Sequence, residues 1–376
     1  MTNFDKVFDF IPPLEKYMGI YCYLILTQPA FGKIKLEHED FVVEEIIKEP
    51  PRTRFGEYLV VKIEKRNWDT IKLSRIIASS IGVPKKDVQY LGIKDKLAVT
   101  TQYFFIKNGK IDHINKIKEI PDIKIKDYFF TNHFSMDLLL GNSFKIVVYD
   151  IKNMDNFKKA CEELNKKGFL NYFGVQRFGI TRPISHVIGR LLLSEDYEGA
   201  FYYLLCFQGQ EELEKTKYYR SLVKDGEFEK FVKEAPPWLY YEKLLVVNYL
   251  RFKDYKKAFK RLPQNYKKIF FHAYQSYLFN RALSYYYLYD KVPETITVSK
   301  NDPFVREILW DDGITNFRSS RKLGVKLKPI KRKSIEFPKE FKYKIISSNR
   351  VILEFGLNKG VYATSLIREI CKNKYW

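Results

Sequence analysis

The alternation of hydrophobic and polar positions in the first half of the chain predicts a mixture of strands and helices. Runs rich in β-branched and aromatic residues predict strands over 57–64, 99–106 and 143–149. Helical spacing predicts one helix that Thr70 caps and Gly82 ends, and another over 156–167 that ends at Gly168. In the first helix four residues are predicted to share one face: Leu73, Ile76, Ile77 and Ser80.

The second half of the chain changes character. Residues 185–315 show helical periodicity, including an extended aromatic helix over 270–287. Strands return as a hairpin over 342–355, and a short helix covers 362–372. Strands at both ends with helices between them indicate the α+β class. This order favours one catalytic domain interrupted by a helical insertion over two domains in tandem.

Composition adds a strong positive charge to this picture. The chain has 376 residues, about two domains' worth, and its 66 Lys and Arg against 45 Asp and Glu give a net charge of +21. Such an excess predicts a polyanionic partner, most commonly nucleic acid. A thermophilic composition raises Lys and Glu together and does not explain the excess. Half of residues 318–333 are Lys or Arg, which indicates either a solvated surface or part of a nucleic-acid footprint.

Several kinds of site have no pattern in this sequence. The four cysteines show no CxxC spacing and the five histidines no ligand spacing, so we expect neither zinc nor disulfides. A phosphate-binding glycine loop and a dinucleotide fingerprint are also missing, so we expect no metal and no nucleotide cofactor. The uncharged stretch 17–31 is too short to span a bilayer. We therefore expect a soluble, cytoplasmic protein without a membrane partner.

Two segments combine residues suited to chemistry on RNA. In 92–96, Asp95 stands between Lys94 and Lys96, whose charges would keep its carboxylate ionised for use as a nucleophile or a base. A solvated turn is the alternative for this segment. Residues 171–179, NYFGVQRFG, offer aromatic faces for stacking, amide and guanidinium donors, and two glycines that permit unusual backbone or close approach. An aromatic turn that fills a core is the alternative there.

Seven segments, in order along the chain, resemble the TruD family of tRNA pseudouridine synthases, in its archaeal branch. They read IK…EDFVVEE (34–45), LGIKDKLAVTTQ (91–102), GNSF (141–144), NYFGVQRFG (171–179), RPISHVIG (182–189), YQSYLFN (274–280) and KGVYAT…RE (359–369). Two stretches depart from the family: the glycine-rich loop at 29–35 is altered, and 290–315 shows no family pattern.

The resemblance implies a pseudouridine synthase catalytic domain on a mixed, mostly antiparallel sheet. It places the catalytic domain at 1–184 and 318–376, and a largely helical TruD insertion at 185–317. It also implies a tRNA substrate, modified at uridine 13, and no cofactor. We expect a monomer.

The resemblance further implies roles for single residues. Asp95 is the essential carboxylate, which either attacks C1′ of the ribose or abstracts the C2′ proton. Phe173 is expected to stack on a flipped uridine and present it to Asp95. The other predicted substrate-binding residues are Asn171 for the base edge or the carboxylate loop, Gly174 for backbone approach, and the basic residues Lys35, Lys94 and Arg177.

Two other functions remain open from sequence. The first is an RNA-binding protein whose isomerase activity is lost or secondary. The second is a nuclease or glycosylase that uses the same basic surface, which the lack of a metal-binding carboxylate cluster disfavours.

Overall fold

A computed structural model describes residues 11–34, 37–210, 212–315 and 317–373. The chain forms two compact units, each built from two stretches of sequence. We call Ile25–Phe169 with Glu336–Trp376 the sheet unit, and Met1–Leu24 with Leu170–Ile335 the helical unit. The boundaries of the insertion that the sequence predicts, at 184/185 and 317/318, stay a prediction. In the described ranges, none of the helices has both the length and the apolar character needed to cross a membrane.

The strands are numbered here in chain order. They are β1 (Phe41–Ile47), β2 (Tyr58–Arg66), β3 (Val88–Tyr90), β4 (Val99–Lys107), β5 (Ile123–Thr131), β6 (Leu139–Val148), β7 (Phe169–Leu170), β8 (Thr295–Thr297), β9 (Lys331–Lys333), β10 (Ile335–Glu336), β11 (Lys339–Ser347) and β12 (Arg350–Asn358). The strands predicted over 57–64, 99–106 and 143–149 are confirmed as β2, β4 and part of β6. The hairpin predicted over 342–355 is confirmed as β11 and β12, with its turn at Ser348 and Asn349.

The sheet unit is built on a mixed sheet of eight strands in the order β11-β12-β6-β1-β4-β2-β5, with β3 paired to β4. Only β1 and β4 run parallel among the described pairs of this sheet. The prediction of an α+β fold on a mixed, mostly antiparallel sheet is therefore confirmed. Strand β2 pairs with β4 from Tyr58↔Lys107 to Arg66↔Val99, so the end of β2 lies beside the start of β4.

The helices are likewise numbered in chain order. They are α1 (Pro13–Tyr17), α2 (Thr70–Ile81), α3 (His113–Lys118), α4 (Met154–Lys167), α5 (Ser185–Leu193), α6 (Tyr197–Cys206), α7 (Glu214–Lys224), α8 (Phe228–Glu234), α9 (Tyr240–Phe252), α10 (Tyr255–Lys260), α11 (Gln264–Leu288), α12 (Pro303–Asp311) and α13 (Ala363–Cys371). The helices predicted over 156–167 and 362–372 are confirmed as α4 and α13. Gly168 ends α4 with φ +73°, in the range that glycine adopts most easily.

Helix α2 differs from its prediction in two respects. Its cap is Asp69, whose side chain accepts a hydrogen bond from the Lys72 N–H, and Thr70 is the first helical residue. Its buried residues are Thr70, Leu73, Ser74, Ile77, Ala78 and Ile81. Ile76 and Ser80 are exposed, because the side of the helix that faces the sheet includes the small residues Ser74 and Ala78 instead. The predicted face was therefore wrong at those two positions.

Helices cover the sheet with apolar side chains. Helices α2 and α3 pack on β2 and β4 through residues that include Leu73, Ile77 and Ile117. Helices α4 and α13 pack on β1, β6 and β12, where Leu164 and Leu366 are fully buried. This packing fixes the start of α2 close to the end of β2 and the start of β4, which matters for the loop described below.

The helical unit is organised around α11, in which 14 of 25 residues are buried. The long aromatic helix predicted over 270–287 is thus confirmed and extends further at its N-terminus. Helix α5 crosses α11 at very short range, since a Cβ added at Gly189 would lie 2.2 Å from the Phe270 carbonyl oxygen. Only a residue without a side chain permits this approach.

Candidate active site

Asp95 lies in the loop 91–98, which joins β3 to β4 in the sheet unit; we call it the Asp95 loop. Its ends are fixed by the buried side chains of Leu91 and Ala98. The Asp95 side chain is half-buried, and its Oδ1 accepts a hydrogen bond from the Leu97 N–H at 3.1 Å. This bond, from an aspartate to the backbone two residues on, closes a tight local turn around the carboxylate.

Two buried polar side chains hold the backbone of the Asp95 loop. The Thr70 hydroxyl accepts a hydrogen bond from the Lys94 N–H at 3.0 Å and donates to Oε1 of Gln102 at 2.9 Å. The Gln102 amide then donates to the carbonyl of Gly92 at 3.4 Å. Thr70 begins α2 and Gln102 lies in β4, so the helix and the strand together fix the residues that precede Asp95.

The Lys94 side chain points inward to a buried ion pair. Its Nζ lies 2.6 Å from Oε1 of Glu45, and the two side chains are 7% and 0% exposed. Oε2 of Glu45 accepts from the Tyr103 N–H at 2.9 Å. Burial raises the pKa of Glu45, and the Lys94 ammonium opposes that rise. A Cβ at Gly92 would come 2.9 Å from Lys94 Nζ, so the glycine leaves room for the pair.

A second buried lysine, which sequence reasoning missed, lies on the same face of the sheet. Lys65 is 1% exposed, and its Nζ donates to the carbonyl of Trp68 at 2.5 Å. Burial lowers the pKa of Lys65 to about 8, while the nearby charges of Asp69 and Asp95 favour the ammonium form. Lys65 pairs with Thr100 across β2 and β4, two residues from Gln102. The Asp95 loop thus has two buried cations beneath it.

The glycine-bounded segment 171–179 forms a turn in the helical unit, which we call the NYFG turn. It contains a short 3-10 helix over Val175–Arg177. Gly179 has φ +110°, and a Cβ there would lie 2.4 Å from the Arg182 carbonyl oxygen, so glycine is required on both counts. Gly174 has φ −77°, an ordinary backbone conformation.

Asn171 and Phe173 are fixed by residues distant in sequence. The Asn171 N–H donates to the Ser334 carbonyl, and its side-chain amide donates to the Lys333 carbonyl. The Phe173 backbone is held at both ends by Asn280, which accepts from its N–H at 2.9 Å and donates to its carbonyl at 3.1 Å.

Phe173 is 7% exposed, and a cation lies against its ring. The Arg332 guanidinium carbon lies 4.2 Å from the ring centroid, and Phe279 contacts the ring edge-on at 5.5 Å. Arg177 lies farther out, 5.7 Å from the same centroid, and its Nε donates to the Ser276 hydroxyl at 3.0 Å. The helical unit therefore brings together Asn171, Phe173, Gly174 and Arg177.

Lys35 lies outside the described residues, but both of its flanks are anchored in the sheet unit. On one side, the backbone of Lys33 pairs with that of Tyr149. On the other, Asp40 accepts from the Glu37 N–H at 2.8 Å and from the Tyr149 hydroxyl at 2.6 Å. Tyr149, the residue after β6, thus contacts both Lys33 and Asp40.

The described residues contain no group of three His, Cys, Asp or Glu side chains placed to hold a metal ion.

Comparisons with known proteins agree on one family. The family model for tRNA pseudouridine synthase D (TruD) matches residues 17–297. A protein of Archaeoglobus fulgidus is 37% identical over 273 residues, which are 72% of this chain and 66% of that protein. One of Thermococcus sibiricus is 32% identical and covers 96% of this chain and 99% of its own. Both are named "Probable tRNA pseudouridine synthase D". A crystal structure from Methanosarcina mazei that bears the TruD name superposes with a TM-score of 0.76 at 27% identity, covering 96% of this chain and 98% of that one.

Proposed function

This chain belongs to the TruD family and is therefore a pseudouridine synthase, and we propose that it isomerises uridine 13 of tRNA with Asp95 as the essential carboxylate. The observation that carries the assignment of Asp95 is the way its loop is held. Thr70, Gln102 and the buried Lys94–Glu45 pair fix the backbone around a carboxylate that stays half-buried. Such preorganisation is what a reacting group requires.

The chemistry needs no cofactor, because the atoms balance within the substrate. The bond from C1′ to N1 breaks, a bond from C1′ to C5 forms, C5 loses a proton and N1 gains one. Asp95 either attacks C1′ or removes the C2′ proton. Both roles need an ionised carboxylate close to the ribose.

Two buried lysines, Lys94 and Lys65, support this role of Asp95. We propose that Lys94 acts through its ion pair with Glu45, which fixes the residue next to Asp95. Direct contact between Lys94 and RNA, the role expected from sequence, would require that pair to open. Lys65 adds a second positive charge close to Asp95, whose own charge favours the ammonium form of Lys65. We propose Lys35 as the basic residue that meets the nucleotide.

The NYFG turn is proposed to receive the uridine base. A flipped base loses its stacking, and an aromatic contact offsets that loss by about 1–3 kcal/mol. Phe173 would supply this contact through the ring face that Arg332 does not cover. Asn171 would bind the base edge, Gly174 would let the backbone approach, and Arg177 would contact phosphate. We further propose that the enzyme acts on tRNA as a monomer in the cytoplasm.

The test is Asp95→Asn, which removes the charge and keeps the shape of the side chain. Pseudouridine formation on a tRNA transcript is read by carbodiimide labelling and primer extension, and tRNA affinity by filter binding. We expect the rate to fall by on the order of 10²–10⁴-fold or more, with affinity and thermal stability unchanged. The matched control is Asp87→Asn, the same change in the turn before β3, which should leave the rate unchanged.

Each other outcome has a distinct meaning. An Asp95→Asn variant that still makes pseudouridine contradicts the assignment of Asp95. A wild-type protein that binds tRNA tightly and makes no pseudouridine is an RNA-binding protein without isomerase activity. Release of free uracil or cleavage of the RNA chain would identify a glycosylase or a nuclease.

A further inference from the structure

We propose that Arg332 is the positioning residue of the NYFG turn: it fixes Asn171 and the ring of Phe173 in the arrangement that receives the base. This proposal rests on the proposed function and adds a residue to it from a part of the chain without a family motif. Arg332 lies in β9, within the basic segment 318–333 that the sequence identified only as a surface or an RNA footprint.

Three contacts join Arg332 to the turn. Its Nε donates to the Asn171 carbonyl at 2.8 Å, and one terminal nitrogen donates to Oδ1 of the same residue. The guanidinium carbon lies 4.2 Å from the centroid of the Phe173 ring. One planar group therefore holds a backbone oxygen, a side-chain oxygen and an aromatic face together. A lysine ammonium cannot make the same set, because it is a point charge without a flat face or a fork.

The position of Arg332 itself is fixed by its strand. Arg332 pairs with Ile296, whose side chain is fully buried, across β8 and β9. The two residues that follow Arg332 also bind the turn through their backbones, since Lys333 and Ser334 accept from Asn171. Strand β9 and the residue that follows it thus bind the turn through their backbones, and Arg332 adds the side-chain contacts.

The flanking lysines separate this role from simple attraction of RNA. Lys331 and Lys333 are exposed, whereas Arg332 is half-buried against the turn. If Arg332 acted only through its charge, Arg332→Lys would be silent and removing Lys331 would have a similar effect to removing Arg332. If it acts as a positioning residue, substitution of Arg332 should lower the rate, whereas substitution of Lys331 should affect only the affinity for RNA.

The experiment compares Arg332→Lys with Lys331→Gln. Single-turnover pseudouridine formation at saturating enzyme gives the rate of the chemical stage, and filter binding over a range of salt gives affinity. For Arg332→Lys we expect a rate lowered by up to about 10²-fold with unchanged affinity and salt dependence, because the base is misplaced. For Lys331→Gln we expect an unchanged rate and, where Lys331 meets a phosphate, weaker binding with a slope of log affinity on log salt reduced by about 0.7–0.9.

A second measurement reads the position of the ring without relying on activity. Phe173 is replaced by 4-fluorophenylalanine, and its ¹⁹F resonance is recorded in the wild-type, Arg332→Lys and Lys331→Gln backgrounds. We expect Arg332→Lys to shift and broaden the resonance and Lys331→Gln to leave it unchanged. An unaltered resonance together with a wild-type rate in Arg332→Lys would overturn the proposal. If instead the wild-type protein made no pseudouridine, the proposed function would fail, and the ¹⁹F result would still decide whether Arg332 positions Phe173.

Discussion

Lys94→Met is the most direct test of how the Asp95 loop is held. The substitution keeps most of the apolar stem of Lys94 and removes the ammonium that lies 2.6 Å from Glu45. Glu45 would then be a carboxylate with a fully buried side chain, with the Tyr103 N–H still donating to it.

The expected loss of stability follows from the geometry. Coulomb's law at 2.6 Å with an effective dielectric constant of about 20 gives an attraction of roughly 6 kcal/mol, and the desolvation of both groups offsets part of it. Removing one partner of such a buried pair typically costs about 3–5 kcal/mol. That is a large part of the roughly 5–15 kcal/mol that holds a domain folded. We expect a loss of this size for Lys94→Met at neutral pH.

Urea denaturation and hydrogen exchange of the Asp95 loop measure this loss. The pH dependence provides an internal check. Burial already raises the pKa of Glu45, and removing Lys94 removes an opposing effect, so the folded variant binds a proton that its unfolded state releases. That contribution to stability is complete below the unfolded pKa and is lost as pH rises through the folded value. The variant should therefore be closest to the wild type in acid.

The double variant Lys94→Met, Glu45→Gln supplies the matched control. It removes both charges and leaves an amide oxygen for the Tyr103 N–H, so most of the lost stability should return together with most of the activity. Recovery of stability without recovery of tRNA affinity would show that Lys94 contacts RNA directly. A single variant that loses less than about 1 kcal/mol, or two substitutions whose effects simply add, would refute the reasoning about the pair.

Two further predictions concern packing and titration. Gly189→Ala places a methyl group 2.2 Å from the Phe270 carbonyl and should cost about 1–3 kcal/mol or more in urea denaturation. Gly356→Ala meets nothing closer than 3.4 Å and should be nearly silent; equal midpoints would contradict the close helix crossing. Lys65→Met tests the buried lysine through pH. The pKa of Lys65 in the folded protein, about 8, lies below the ordinary 10.5. The stability of the wild type relative to the variant should therefore be greatest above pH 10.5 and fall as pH drops through 8. If the stabilities of the two proteins depended on pH in the same way, Lys65 would not be a buried ammonium.

Local patterns predicted most of the architecture. The runs of β-branched and aromatic residues became β2, β4 and β6, because these residue types are enriched in strands, and the helical spacing of the middle became α5 to α12. The face of α2 was less predictable. Periodicity alone cannot tell whether the buried stripe turns towards a large residue such as Ile76 or a small one such as Ala78; the space beside β2 and β4 decides this.

The partners of the buried charged residues could not be predicted from the sequence. Glu45 shares a strand face with Phe41 and Val43, and Lys65 shares one with Val61 and Ile63, so strict alternation was a usable signal for both. Charged residues are usually assigned to solvent, and only the pairing of β1, β2 and β4 shows how these charges are satisfied. Arg332 had no such signal, because its partner Asn171 is 161 residues away along the chain.

The division of the sheet unit into two stretches has a consequence for biosynthesis. Strand β12 pairs with β6 in the sheet, but it follows Leu170–Ile335 in the chain. The ribosome must therefore make that whole stretch after β6 and before β12. At about 5–20 residues per second this delay lasts on the order of 10–30 s. During that time the edge of β6 lacks the partner it has in the finished sheet, and nascent β-strands with open edges are prone to pair with other chains. Mutations that slow translation or expose β6 should therefore lower the yield of folded enzyme before they alter its chemistry.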